Sequence, residues 1–286
     1  VHDLPKRRRR TVLVTGAAGA IGRCLRDGLH GRYELRLLDV AAQAPARAGE
    51  KIVTVDLRDR EATARALAGC DAVVHLAAIA TEAPFDELLD ANIAVTYSVF
   101  EGARRAGVRR VVFASSNHVT GYYPIDETIG PGVPVRPDSY YGVSKVFGEG
   151  LARLYAEKHS LEVVCLRIGA FRERPLDERD LAIWLSARDC VQLVERALDA
   201  VPVRFLTVYG ISANTRSWYE TEGWEQLGYE PRDDGERFAG EVGSGPPGWR
   251  LQGGRYACSL VTEPRRRLLD RINRALSIRL RPRGGA

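Results

Sequence analysis

Apolar residues along this chain fall into two alternating rhythms. Short, nearly continuous runs rich in Val, Leu and Ile recur at 11–15, 34–40, 52–55, 72–76, 110–115 and 161–168. Runs of this length, bounded by glycine or charge, predict strands buried on both faces, as in a parallel sheet. Between them, at 23–30, 61–68, 85–107 and from about 140 to 159, the sequence predicts helices; in 85–107 the apolar positions Leu88, Leu89, Ile93, Val95 and Val99 carry the helical spacing. Strand and helix in strict alternation imply an α/β domain with a doubly wound parallel sheet and a ligand at the strand C-termini. After Gly169 the rhythm loosens. A polar segment at 172–179 precedes a helix at 187–199 and a late strand at 203–209. Short elements rich in Gly, Trp and Tyr then lead to an arginine-rich helix at 260–280.

The first strand runs into Gly16-x-x-Gly19-x-x-Gly22 and then a helix. Gly16 and Gly19 allow a tight turn and close approach to a pyrophosphate, and Gly22 allows helix and strand to touch. The helix N-terminus at Ala20 and Ile21 offers free N–H groups to the anion, a Rossmann-like arrangement. The second strand ends in Asp39, where a carboxylate accepts from both ribose hydroxyls and repels a 2′-phosphate, selecting NAD over NADP. Asp56 and Leu57 follow the third strand and are expected near the adenine. Ala77 and Ala78, after Leu76, leave room for the cofactor. Asn92 and Ile168 complete the expected cofactor contacts.

The fifth strand leads into Ser115-Ser116-Asn117-His118. A proline-rich loop follows, and Asp138-Ser139 then offers an N-cap for a helix carrying Tyr141 and Lys145. Residues four apart share a helix face, about 5–6 Å between Cβ atoms. An ammonium beside a phenol favours the phenolate and lowers a pKa that starts near ~10. Such a group is a general base near neutral pH, and Ser116 can hydrogen-bond the same substrate oxygen. Tyr-x-x-x-Lys pairs are common on protein surfaces. The glycine signature and the serine on the preceding strand give this one its meaning.

Composition narrows the class. Hydrophobic residues are 45% and charged residues 28% of 286, ordinary for a globular protein. No apolar run approaches a membrane span, and the N-terminus lacks a signal-type apolar segment, so a cytoplasmic protein with no membrane partner is expected. Five cysteines are scattered without a CxxC pair and read as reduced thiols. The five histidines show no HxxxH spacing, so no metal site is expected, and His75 within its strand reads as a packed core residue. Arg7–Arg10 reads as a solvated tail, with no nucleic-acid module behind it. The net charge of +5 suits an anionic small substrate.

Gly16-x-x-Gly19-x-x-Gly22, Asp39, Ser116 and Tyr141-x-x-x-Lys145 together resemble the extended short-chain dehydrogenases/reductases. The strings Ala114-Ser-Ser-Asn-His118, Gly121-Tyr-Tyr-Pro124, Tyr141-Gly-Val-Ser-Lys145, Arg167-Ile-Gly169, Gly210-x-Ser-Ala-Asn214 and Gln252-Gly-Gly254 are similar to those of bacterial uronate dehydrogenases, over residues 11 to about 260. The resemblance implies NAD-dependent oxidation of the C1 hydroxyl of cyclic glucuronate or galacturonate to an aldarolactone. It implies that Tyr141 takes the C1 hydroxyl proton, that Lys145 holds the nicotinamide ribose and that Ser116 positions the substrate oxygen. Asn117 and His118 would bind sugar hydroxyls or carboxylate, and Arg179 would bind the carboxylate through its planar fork. A homo-oligomer is expected by the same resemblance. Two positions depart from the family, which has serines where this chain has Ala80 and Ala170.

The organisation expected is a basic N-terminal tail (1–10), an NAD-binding core with the catalytic helix (11–169), a small substrate-binding region interleaved with the core (170–280), and a terminal tail (281–286). A nucleotide-sugar epimerase or dehydratase on the same fold is the alternative enzyme, disfavoured by the short region after Gly169. A non-catalytic NAD sensor is opposed by the presence of both Tyr141 and Lys145.

Overall fold

The computed structural model describes residues 8–243 and 250–258. The strands are β1 (Thr11–Thr15), β2 (Glu34–Asp39), β3 (Glu50–Thr54), β4 (Ala72–His75), β5 (Arg110–Ser116), β6 (Glu162–Ile168), the short β7 (Ala170–Phe171) and β8 (Trp184–Leu185), and β9 (Phe205–Gly210). Seven of them form one parallel sheet in the order β3-β2-β1-β4-β5-β6-β9. The strand order reverses between β1 and β4, and that switch opens a crevice at the strand C-termini.

Side-chain alternation explains the layers. Along β1, Val12 and Val14 enter one apolar core while Leu13 enters the other, because neighbouring strand residues point to opposite faces. The first core takes Leu25 of α1 (Ala20–Gly28) and Cys190, Leu193 and Val194 of α7 (Ala187–Asp199). The second takes Leu67 of α2 (Arg60–Leu67), Val99, Phe100 and Ala103 of α4 (Val95–Arg105), and Ala152 and Tyr155 of α5 (Tyr140–His159). A helix expected over 85–107 is present as α3 (Phe85–Leu88), a wider π-helical turn at Leu89–Ala94, and α4. The polar segment expected at 172–179 ends in α6 (Glu178–Ile183), whose first turn is capped by Asp177.

Beyond the C-terminal ends of β5, β6 and β9 lies a smaller aromatic cluster that includes Tyr123, Ile129, Ile183, Tyr209 and Tyr219. The Tyr209 and Tyr219 rings stack at 3.8 Å. Residues 250–258 strap onto this region. Leu251 bridges antiparallel to Pro124, Gln252 N–H donates to Tyr123 O and Gly253 N–H to Gly121 O, both at 2.8 Å.

At the other end of the chain, Arg8 pairs with Asp71 at 3.0 Å, and Arg10 reaches Asp199 and Leu198 O. The basic segment is therefore docked from Arg8 onward. His75 is buried between Thr15 and Thr96 hydroxyls, a core residue as its strand position implied. Among the described residues no helix is long and apolar enough to cross a membrane. The helix expected at 260–280 and the tail at 281–286 lie outside the described residues.

Candidate active site

The strand C-termini open into a cleft of about 1390 Å³. On its nucleotide side are Gly16, Gly19, Ala20, Ile21, Gly22, Asp39, Asp56, Leu57, Leu76, Ala77 and Ala78. On its chemical side are Ser116, Asn117, His118, Tyr141, Lys145, Ile168 and Arg179. Asn92 is the expected contact that does not line the cleft. It lies in the π-helical turn, where Oδ1 accepts from Ile79 N–H (2.8 Å) and Nδ2 donates to Ile79 O (3.1 Å) and Ser144 Oγ (2.9 Å). Its amide is committed to protein partners and ties the loop after β4 to α5.

The nucleotide side fits a dinucleotide. Gly16 has φ +69°, and a Cβ there would stand 2.8 Å from Ala77 N, so only glycine lets the β1 and β4 loops approach this closely. The first turn of α1 has no side-chain cap and leaves N–H groups for an anion. Asp39 Oδ2 accepts from Ala18 N–H and Oδ1 from Ala41 N–H, both at 2.9 Å. Each oxygen keeps a lone pair for a ribose hydroxyl. Asp56 also faces the cleft, but Arg58 holds both of its oxygens at 2.6–3.0 Å. The Arg58 guanidinium lowers the Asp56 pKa and competes for the lone pairs that an adenine amine would use.

On the chemical side, α5 presents Tyr141 and Lys145 from a doubly capped N-terminus. Ser139 Oγ accepts from Gly142 N–H at 3.0 Å, and the Glu82 carboxylate accepts from Tyr140 and Tyr141 N–H at 3.2 and 2.9 Å. Burial pushes the Tyr141 phenol up to about 12, with the Ser116 hydroxyl opposing. Burial pushes the Lys145 ammonium down to about 8. Against expectation, Lys145 is not among the groups that shift the Tyr141 phenol, and burial is the largest influence. Lys145 Nζ donates to Ala114 O at 2.8 Å and stands 5.7 Å from the Tyr141 ring centroid, while loss of water penalises the phenolate directly.

The substrate wall is built from distant segments. With its amide oxygen turned to the donor, Asn117 accepts from Arg179 Nη2 at 2.8 Å and its nitrogen donates to Ile168 O at 3.2 Å. Arg179 Nε donates to Gln252 O at 2.7 Å, which leaves guanidinium donors for a ligand. His118 Nδ1 lies 2.8 Å from Asp138 Oδ2. Tyr256, on the strap, packs its ring 4.5 Å from that of His118 and hydrogen-bonds Thr81 at 2.7 Å. Ala80 and Ala170 line the same space, as does Arg172, whose guanidinium pairs with Asp180 at 3.2 Å.

Thr81, Arg172 and Tyr256 line the cleft and Glu82 caps α5 beside it, although the sequence pattern marks none of them. Only the fold brings Tyr256 back against residues 81 and 118. Among the described residues no group of three or more His, Cys, Asp or Glu side chains is placed to hold a metal ion.

The sheet, the glycine turn and the Ser116–Tyr141–Lys145 grouping define an enzyme of the extended short-chain dehydrogenase/reductase class. Residues 12–171 match the model of the NAD dependent epimerase/dehydratase family. The chain is 41% identical over 256 residues to the uronate dehydrogenase of Pseudomonas syringae pv. tomato, covering 87% of this chain and 93% of that one. It is 40% identical over 249 residues to the L-arabinose 1-dehydrogenase (NAD(P)(+)) of Haloferax volcanii, covering 78% and 96%. A Tyr-to-Ala mutant of Agrobacterium tumefaciens uronate dehydrogenase, solved with NAD, has a TM-score of 0.84 at 41% identity, covering 87% and 97%. The chain belongs to the uronate dehydrogenase family.

Proposed function

We propose that this protein oxidises the C1 hydroxyl of a cyclic hexuronic acid, glucuronate or galacturonate, to the aldarolactone with NAD. The observation that carries the reading is the Arg179 guanidinium, oriented by Asn117 and Gln252, in the same cleft as Tyr141, Ser116 and Lys145. It gives a carboxylate-bearing sugar a handle remote from its reacting carbon. Bound, NAD supplies the hydride acceptor and a positive charge. That charge would favour the Tyr141 phenolate against burial; as phenolate, Tyr141 Oη would remove the C1 hydroxyl proton as the hydride passes from C1 to NAD, and C1 would become the lactone carbonyl. Ser116 Oγ holds the reacting oxygen, and Lys145 donates to the nicotinamide ribose.

A second reading, a dehydrogenase of neutral or modified aldoses, is favoured by Ala80 and Ala170. Each withholds a hydroxyl that family members direct at the sugar, worth about 0.5–1.5 kcal/mol net. NADH formation over a panel of glucuronate, galacturonate, glucose, galactose and arabinose separates the two. Turnover of uronates with neutral sugars inert supports the first reading, and turnover of neutral sugars alone refutes it. Tyr141→Phe keeps NAD affinity and loses turnover by about 10²–10⁴-fold, the span of general-base catalysis.

Two coarser features join this proposal. Phe85, Leu89, Tyr140, Val143, Phe147 and Leu154 leave an exposed apolar face on α3, the π-helical turn and α5, which a second copy of the chain would cover. Phe147→Glu then converts a dimer to a monomer in light scattering; an unchanged mass would count against that face. The five free cysteines suit a reducing compartment such as the cytoplasm.

A further inference from the structure

His118 and Asp138 form a pair that the nucleotide side does not use. The Asp138 side chain is fully buried. Its Oδ1 accepts from Ser139 Oγ, the cap of α5, and its Oδ2 meets His118 Nδ1, both at 2.8 Å. Backbone closes around this carboxylate, since a Cβ on Gly121 or on Gly253 would collide with Asp138 Oδ2. Asp138 N–H also donates to His118 O at 3.3 Å, so the two residues are joined at backbone and side chain. The Tyr256 and Tyr141 rings stand edge-on to the His118 ring at 4.5 and 5.9 Å. A carboxylate only accepts, so Nδ1 carries a proton, and in the neutral ring Nε2 keeps its lone pair. Among the described residues no hydrogen bond reaches Nε2, and His118 lines the cleft beside Ser116 and Tyr141.

We propose that Asp138 is a positioning residue that holds His118 in the Nδ1–H tautomer, so that Nε2 accepts a hydrogen bond from a substrate hydroxyl. A bare Nε2 repels a carboxylate oxygen and welcomes an O–H. The site therefore divides its work: Arg179 takes the acid and His118 takes a hydroxyl. Only the identity of the donor rests on the proposed function; the tautomer rests on this chain's own contacts.

The test reads the ring nitrogens of ¹⁵N-histidine-labelled protein, with the His118 signals identified by their loss in His118→Gln. Nδ1 is expected protonated and Nε2 bare in the wild type. Asp138→Asn keeps that state, because its amide oxygen still accepts from Nδ1–H, whereas Asp138→Ala moves population to Nε2–H. With uronate, Asp138→Ala raises KM about 10-fold or more with a smaller change in kcat, Asp138→Asn recovers most of the loss, and in a His118→Gln background Asp138→Ala changes KM by less than about 3-fold. A protonated Nε2 in the wild type, or ring nitrogens indifferent to Asp138→Ala, overturns the proposal. So does an undiminished Asp138→Ala loss in the His118→Gln background, which marks a structural role alone. If the wild type oxidises no sugar acid, the functional reading fails while the nitrogen signals still decide the role of Asp138.

Discussion

Replacing Lys145 with an apolar side chain is expected to stabilise the fold. The Lys145 side chain is buried at the active-site end of α5, and burial lowers its pKa from 10.5 to about 8. That difference corresponds to about 3 kcal/mol against the charged form in the folded state. The sign follows from proton counts. Between the two pKa values the unfolded chain holds a proton that the folded chain has released, so stability rises with pH. The penalty is present in full below the folded pKa and fades as pH climbs toward the unfolded one. Lys145→Met removes the charge and keeps an unbranched apolar stem. It also removes the hydrogen bond to Ala114 O, worth about 0.5–1.5 kcal/mol. Near pH 7 the variant is expected to be more stable than wild type by about 2 kcal/mol and to be catalytically inactive.

The cleaner quantity is how that advantage changes with pH. By about pH 9.5 most of the wild-type penalty has titrated away, so the gap between the proteins narrows by about 2 kcal/mol relative to pH 7. Urea unfolding of both proteins at the two pH values, without NAD, measures it. Other lysines and the tyrosines titrate in both proteins and cancel in the difference. A gap that stays constant from pH 7 to pH 9.5 would falsify the reasoning, because it would mean that Lys145 has the same pKa folded and unfolded.

His75 works in the opposite pH range. Burial, with Lys145 adding repulsion, lowers its pKa to about 3, so unfolding takes up a proton below about pH 6.5 and stability falls on acidification, by about 2 kcal/mol at pH 5 from this group. His75→Gln, which can still meet Thr15 and Thr96, should lose less stability between pH 7 and pH 5 than wild type in paired urea titrations; equal losses would remove His75 from the account. Asp39→Ala should weaken NAD by about 10–100-fold, the value of charge-assisted hydrogen bonds to the ribose, and narrow the preference over NADP, as read by fluorescence titration of both cofactors.

The sheet was legible because its strands are short apolar runs, and burial on both faces leaves no other home for Val12, Leu13 and Val14. The nucleotide side was legible because backbone geometry restricts it: a position at φ +69° pressed against Ala77 N admits glycine and little else. The Tyr141–Lys145 pair was legible as a distance and misread as an energy. Helical spacing fixes which side chains meet but is blind to the loss of water that pushes the phenol up to about 12. Asn92 was read as a cofactor contact, yet its hydrogen bonds to Ile79 and Ser144 turn it inward. Residues 250–258 have no period to read. Their place over the cleft comes from hydrogen bonds to residues 121–125, pairings that span more than a hundred residues and leave no local trace.

Around the cleft, which polar groups are complete and which keep hydrogen-bonding capacity separates scaffold from chemistry. Glu149 accepts from Ser115 Oγ and from two nitrogens of Arg167 at 2.6–3.0 Å, and Arg167 also donates to Pro131 O. That network ties α5 to β5 and β6 and is nearly complete, with four of the five Arg167 donors used once Tyr209 Oη is included. His75 is likewise held at both ring nitrogens. Lys145 differs: one hydrogen bond is formed where an ammonium can donate three. His118 differs too, fixed at Nδ1 and open at Nε2, and Arg179 is anchored at Nε and one Nη with donors to spare. Lys145 is buried while His118 and Arg179 are partly open, and all three line one cleft with Tyr141. A scaffold gains nothing from groups held in that condition. A substrate and cofactor that complete them would gain those hydrogen bonds on binding, which ties the buried Lys145 and the open Nε2 of His118 to the same chemistry.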